Sequence, residues 1–229
     1  MHNKNLSEIV QASKVVDDFV VVTETDFVPD KVSVEKIKFV NLKNLPSKSF
    51  VNNTALKHVE APVLSVIGKY AFSGCSGLEV LNAPNLSMVD EGGLHGAKSL
   101  KTNSFPNLQF AGTSSFTGTG FKKIYAHADC YAARGAFDNE TCITFKDFQN
   151  RPDFAYLFST GMQANNRCLE FVNSDGTILT VKFTPEDVAR TGEEMEILLK
   201  QKIMAQTTLD PLSHVFVEGN QIRQEITVS

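Results

Sequence analysis

This sequence lacks the features that indicate a nucleic-acid partner or a membrane. Its 229 residues carry 22 basic and 26 acidic side chains, a formal net charge of −4, and the longest basic run is the pair Lys122 and Lys123. Such a charge balance excludes an extended footprint for nucleic acid or an anionic membrane surface. Apolar runs such as residues 19–22 fall far short of the roughly 20 residues that cross a bilayer. We therefore expect a soluble chain with no membrane span.

Targeting signals and cysteines are also sparse. The first twenty-five residues contain several acids and no apolar block followed by a small-residue cleavage site, so they do not predict a signal peptide. Four cysteines without a C-x-x-C pair are too few for a disulfide scaffold. They fit a reducing compartment or buried thiols, and the sequence leaves open whether they are free or paired. They are Cys75, Cys130, Cys142 and Cys168.

No set of side chains predicts catalysis. The GCSG segment around Ser76 lacks the G-x-S-x-G spacing of a nucleophile elbow. The glycine-rich stretch 112–120 lacks the G-x-x-x-x-G-K-[ST] pattern of a phosphate-binding loop. His127, Cys130 and Cys142 are the only conceivable zinc ligands, and their irregular spacing makes a weak site. We expect no enzyme, no cofactor and no metal.

A repeat with a period of 22 residues occupies the middle of the chain. A proline, a large apolar residue and a leucine each recur at this step and keep one phase. Periods of about 20 to 29 residues are typical of leucine-rich repeats, in which each turn adds one short strand to a stacked parallel sheet. The sequence therefore predicts a solenoid with a continuous apolar core. The three columns are Pro62, Pro84 and Pro106; Phe50, Phe72, Leu94 and Phe116; and Leu56, Leu78 and Leu100.

The repeat resembles a known family. Residues 67–86, IGKYAFSGCSGLEVLNAPNL, are similar to the BspA-like leucine-rich repeat, whose pattern is IG-x-x-AF-x-x-C-x-x-L-x-x-I-x-x-P. The resemblance covers roughly residues 36–145 and implies an α/β repeat fold with a parallel sheet. It also implies that Cys75 fills a small, buried position, which Ala97 takes in the next repeat. The matching residues are Ile67, Gly68, Ala71, Phe72, Cys75, Leu78, Leu81 and Pro84.

The flanks divide the chain into three predicted domains. Residues 6–16, LSEIVQASKVV, predict a helix, and residues 19–24, FVVVTE, predict a strand. We expect residues 1–35 to cap the open end of the solenoid, which covers residues 36–145.

Residues 146–229 predict a small α+β domain. Asp175 and Gly176 give a hairpin signal between two β-rich runs, and Gly219 and Asn220 give another. Between them, residues 184–187 predict a helix that starts with Thr184 as its N-cap and runs to about Ala205. The expected order of elements is β-β-α-β-β.

Alternation along the predicted strands defines an outward face. If Leu81 and Ala83 point inward, Val80 and Asn82 point outward. One rung every ~4.8 Å gives a ladder about 20 Å tall. This front ladder predicts a binding site for a protein, with a glycan as the second choice, although an ordinary solvated face also fits. The front ladder consists of Lys36, Lys38, His58, Glu60, Val80, Asn82, Thr102, Ser104, Lys123 and Tyr125.

The sequence thus predicts a non-enzymatic protein-interaction module that binds through the front ladder. One alternative is a structural subunit of a larger assembly, such as a cell-surface layer or virion, that associates with itself through the solenoid ends or the C-terminal domain. Another is an enzyme with its site in the C-terminal domain. Localisation stays open, because the resemblance implies a surface or secreted protein whereas the N-terminal sequence indicates a cytoplasmic or assembly-associated one.

Overall fold

A computed structural model shows a β-solenoid over the middle of the chain. The structure describes residues 4–27, 30, 32–102, 104–127, 130–133, 135–138, 141–146, 168–172, 176, 178–182, 184–188, 194, 197–198, 201–202, 213–218 and 221–226. Within these ranges, no helix is both long and apolar enough to traverse a bilayer.

The N-terminal segment begins with a capped helix. It contains α1 (Leu6–Ala12), β1 (Lys14–Val16) and β2 (Phe19–Val22). The side chain of Asn5 accepts the N–H of Glu8, and the Glu8 carboxylate accepts the N–H of Asn5, so the two residues form a capping box.

Helix α1 is shorter than the helix expected over residues 6–16. Ser13 has an extended backbone with φ −79° and ψ 151°, and the next three residues form β1 instead of continuing the helix. β-branched Val15 and Val16 favour the strand. Asp17 and Asp18 then have φ values of 50° and 65°, as a two-residue type I′ turn requires, and β1 pairs antiparallel with β2.

Each turn of the solenoid contributes two short strands rather than the one expected. The second strand follows a corner and joins a separate parallel sheet, and both sheets enclose one core. The front strands are β3 (Lys36–Phe39), β5 (His58–Glu60), β7 (Val80–Asn82), β9 (Ser104–Phe105), β11 (Lys123–Ala126) and β13 (Cys142–Lys146). The back strands are β4 (Asn44–Leu45), β6 (Val66–Ile67), β8 (Met88–Val89), β10 (Phe110–Ala111) and β12 (Tyr131–Ala132).

The apolar columns of the repeat form the core. Phe50, Phe72, Leu94 and Phe116 are each at most 2% exposed. The rings of Phe50 and Phe72 stack with centroids 5.4 Å apart, and those of Phe116 and Phe137 stack at 5.1 Å. Because each turn is too thin to bury its own apolar face, these contacts between turns hold the solenoid together.

The front sheet is interrupted, although the sequence predicts one continuous ladder. In the described residues it consists of one piece ending at β7 and another starting at β9. At the interruption the N–H of Leu81 donates to Oγ1 of Thr102 at 3.1 Å. A side-chain hydroxyl therefore takes the place of a backbone carbonyl at this rung.

The first C-terminal hairpin continues the front sheet. It consists of β14 (Cys168–Val172) and β15 (Ile178–Lys182), and β14 pairs parallel with β13. The expected turn residue Asp175 lies outside the described residues, whereas Gly176 has φ 85°. How the chain divides into domains stays a prediction.

A helix and a second hairpin follow. They are α2 (Pro185–Val188), β16 (Ser213–Glu218) and β17 (Gln221–Ile226), and the two strands pair antiparallel. Oγ1 of Thr184 accepts the N–H of Asp187 at 3.2 Å, and the Asp187 carboxylate accepts the N–H of Thr184 at 2.9 Å. Residues 194, 197, 198, 201 and 202 are helical too. The expected helix end near Ala205 and the turn residues Gly219 and Asn220 lie outside the described residues.

Candidate interaction surface

The front ladder alternates with buried residues along the front strands. Ile37, Val59, Leu81, Phe105 and Ile124 point into the core and are at most 1% exposed. Nine of the ten ladder residues lie on front strands, and Thr102 lies just before β9. Lys38, Asn82 and Ser104 are exposed, and Lys36, His58, Glu60, Val80, Thr102, Lys123 and Tyr125 are half-buried.

A polar network joins the N-terminal rungs of the front ladder. The Glu60 carboxylate lies 2.8 Å from Nε2 of His58 through one oxygen and accepts Nδ2 of Asn82 at 2.8 Å through the other. The ring of Phe19 meets the His58 ring edge-on at 4.9 Å, and Nζ of Lys36 lies 5.9 Å from the Phe19 centroid. Sequence reasoning missed Phe19, because its place here depends on β2 joining the sheet parallel to β3.

Lys123, in the C-terminal rung of the front ladder, already pairs with another side chain of the protein. Nζ of Lys123 lies 2.6 Å from Oε2 of Glu170, and Oγ1 of Thr144 donates to the same oxygen at 3.0 Å. The hydrogen bond with Glu170 raises the pKa of Lys123. Thr144 points to the outward side of β13 yet is only 1% exposed, so this end of the front face is covered. Lys123 is therefore less accessible to a partner than the sequence suggests.

The back sheet displays an apolar column that the sequence did not reveal. Val66, Met88, Phe110 and Tyr131 are successive partners in the parallel register. Met88 is 37% exposed, and the rings of Phe110 and Tyr131 stack at 5.3 Å. The column was missed because one strand per turn was expected, which leaves no back sheet.

A cavity of about 750 Å³ opens near the N-terminal end of the solenoid. Asp30 and Lys48 contribute charge to its lining, and Ser49, Asn52 and Asn53 contribute hydroxyl and amide groups. Val32 and Val51 add apolar groups, so the lining is mixed. Sequence reasoning missed this cavity, because its walls come from two segments that only the fold brings together.

Two of the four cysteines are buried thiols outside the disulfide. Cys75 and Cys130 are at most 1% exposed. Sγ of Cys75 lies 2.8 Å from the carbonyl oxygen of Phe50, and burial raises the pKa of this thiol to about 12. A thiol with so high a pKa is a poor nucleophile at neutral pH. This agrees with a packing role for Cys75.

The other two cysteines form a disulfide. Cys142 and Cys168 are bonded, and Glu170 lies beside them. Their sulfur atoms and a Glu170 carboxylate oxygen lie within 4.8 Å of one another. Among the described residues, this is the single group of three possible metal ligands. His127 and Cys130, which the sequence paired with Cys142 as conceivable ligands, are not members of that group.

The family follows from the repeat itself. A family model described as "BspA type Leucine rich repeat region" matches residues 27–144 in six copies. This chain belongs to that family. The resemblance carried by residues 67–86 is thereby confirmed, and so is the leucine-rich repeat fold. The family suggests a protein-interaction module.

Two further comparisons add little to the family assignment. The crystal structure of the T. pallidum leucine-rich repeat protein is 18% identical, with a TM-score of 0.43, and the match covers 63% of this chain and 71% of that chain. A search of curated proteins finds no match.

Proposed function

We propose that this protein is a non-enzymatic interaction module that binds a protein partner through its front face. The observation that carries the proposal is the polar network of His58, Glu60 and Asn82 on the outward side of the front sheet. Internal hydrogen bonds hold these side chains in place. A partner would therefore meet a surface that needs little ordering on binding.

The composition of the front face favours a protein over a glycan. Lys38 and Glu60 are neighbours in the strand register, and Asn82 follows Glu60. Phe19 and Tyr125 add aromatic area at its two ends. Aromatic rings are enriched at protein interfaces, and polar groups form the rim around them. The exposed groups Lys38, Asn82 and Ser104 are the expected contacts, because Lys123 already pairs with Glu170.

The test uses the full-length chain as bait in an extract of its source organism. The front variant combines Lys38→Ala with Ser104→Arg, two exposed positions on the front strands. The matched control combines Lys43→Ala with Ser99→Arg, which are also exposed but lie outside those strands. Circular dichroism checks that both variants fold.

We expect one partner to bind the wild type and the control but not the front variant, as identified by mass spectrometry. Equal capture by all three baits would assign binding to another surface. Capture of a glycoconjugate whose binding survives protease treatment would replace the protein partner by a glycan.

A second candidate, a structural subunit, is favoured by the edge strand β1. It lies at the end of its sheet, and Val15 and Val16 are 69% and 52% exposed. Two copies could pair through antiparallel β1 strands, with the two-fold axis between Val15 and Val16. Lys14 of each copy then lies opposite Asp17 of the other, and their charges are complementary. Exposed edges of this kind promote association.

Sedimentation over a range of concentrations tests this candidate. We expect the wild type to dimerise and Val15→Asp to stay monomeric. Val63→Asp, at a position 37% exposed and away from β1, is the control and should behave as wild type. A wild type that stays monomeric at high concentration contradicts the candidate.

A further inference from the structure

The disulfide and Glu170 lie together on the outward side of the last parallel strand pair. Cys142 on β13 and Cys168 on β14 are direct neighbours in the register, with Cα atoms 4.6 Å apart. Glu170 is two residues beyond Cys168 and therefore projects from the same face of β14. Three potential ligand atoms, two sulfurs and one carboxylate oxygen, lie within 4.8 Å of one another.

The surroundings orient this group and shield it. Cys142 is 6% exposed, and the side chain of Glu170 is 12% exposed. Lys123 and Thr144 both reach the same Glu170 oxygen, at 2.6 Å and 3.0 Å. Outer groups that hydrogen-bond a ligating carboxylate fix its orientation and tune its affinity for a metal.

We propose that Cys142, Cys168 and Glu170 bind a divalent cation of the zinc class once the disulfide is reduced. Thiolates select such borderline-soft cations over magnesium or calcium. Two thiolates and one carboxylate leave a fourth position of a tetrahedral site open to water. The three negative ligands balance the divalent cation together with the Lys123 ammonium.

The site has two chemical states. A dithiol or phosphine reductant supplies two electrons and breaks the S–S bond. The two thiols then lose two protons to solvent as the cation binds, because only thiolates ligate it. The oxidised site has no thiolate to offer, so reduction controls its affinity for metal.

Cobalt titration of the full-length chain tests the site. The protein is reduced with a phosphine and then freed of metal with a chelator. The phosphine takes an oxygen atom from water and becomes the phosphine oxide. We expect Co²⁺ to give a saturable thiolate-to-cobalt charge-transfer absorption at one ion per chain, which Zn²⁺ then abolishes by displacement. The oxidised chain gives no such absorption.

Three variants separate the site from unspecific thiol binding. Cys168→Ser should lose the absorption, and Glu170→Gln should weaken Co²⁺ binding by about tenfold or more. Cys75→Ala is the matched control, because the equivalent position one turn later is Ala97. It should bind Co²⁺ as the wild type does.

Alkylation provides a readout that does not depend on any variant folding. Zn²⁺ should protect Cys142 and Cys168 of the reduced wild type from iodoacetamide, as measured by mass spectrometry. The proposal is overturned by a reduced wild type without the charge-transfer absorption, by Cys168→Ser retaining it, or by equal alkylation with and without Zn²⁺. None of these outcomes bears on the front face, because the assay contains no partner.

Discussion

Gly77 lies where two successive turns of the solenoid approach each other closely. A Cβ atom at this position would lie 2.2 Å from the carbonyl oxygen of Thr54 in the preceding turn. That distance is far below van der Waals contact, so any side chain here must push the backbones of the two turns apart.

We predict that Gly77→Ala lowers the free energy of unfolding by about 1–3 kcal/mol, as overpacking does. Urea denaturation measures the change. Ser76→Ala, at the half-buried neighbouring position, is the control and should stay within about 0.5 kcal/mol of the wild type. Equal effects of the two substitutions would show that the close approach is not responsible.

Pairs of side chains 22 residues apart connect successive turns of the solenoid. Lys57 pairs with Glu35 at 3.0 Å, and Lys101 pairs with Glu79 at 2.6 Å. Asparagine side chains likewise bond carbonyl groups of the preceding turn, 23 residues earlier, since Asn85 donates to Pro62 and Asn107 to Pro84. Exposed ion pairs of this kind contribute little individually. They mark which residues of successive turns are neighbours.

Glu91 makes the stability of the solenoid sensitive to pH. The hydroxyl of Tyr70 donates to its carboxylate, and Nζ of Lys69 lies 3.4 Å away. The Tyr70 hydrogen bond, followed by the one from Lys69, lowers the pKa of Glu91. A carboxyl whose pKa is lower in the folded state stabilises the protein above its unfolded pKa, and this contribution is lost as the pH falls through the folded pKa.

We therefore predict that Glu91→Gln is less stable than the wild type at pH 7. The difference should vanish as the pH falls below the usual range for a glutamate and through the lowered pKa of Glu91, where its carboxyl becomes protonated. Chemical denaturation at a series of pH values measures it, with Glu24→Gln measured alongside as a second glutamate substitution. A gap that is unchanged at low pH would contradict the assignment.

Across the whole molecule, the break in the front sheet at Thr102 separates two stacks of strands. Each turn of a solenoid contacts only its neighbours, so the stability of the stack depends on every such interface. At this interface one rung depends on the bond from the Leu81 N–H to the Thr102 hydroxyl. The two stacks share the back sheet and the core.

We predict that Thr102→Val leaves the Leu81 N–H without its acceptor and costs about 1–3 kcal/mol. Hydrogen exchange of the Leu81 amide should accelerate, whereas amides of β3 and β5 stay protected. Thr113→Val, at an exposed threonine, is the control and should not change Leu81 exchange. Unchanged exchange in Thr102→Val would mean that the hydroxyl does not hold this rung.

Much of the repeat could be predicted because one turn is one period. A residue and its counterpart 22 positions later meet across the gap between turns, which is why the apolar columns are buried and why Lys57 reaches Glu35. Alternation along a strand likewise orients Val80 and Asn82 away from the core. The length of the first helix was overestimated, because the paired strand β1 captures Val15 and Val16.

By itself, the amino-acid sequence determined the period, the core columns, the outward residues and the family, because all of these depend on spacing along the chain. Only the tertiary structure decided what depends on distance in space: the back sheet, the Lys123–Glu170 pair, the Cys142–Cys168 bond and the break at Thr102. Glu170 lies 47 positions beyond Lys123, and no period of the sequence connects them. Their contact exists because β14 continues the parallel stack that the repeats begin.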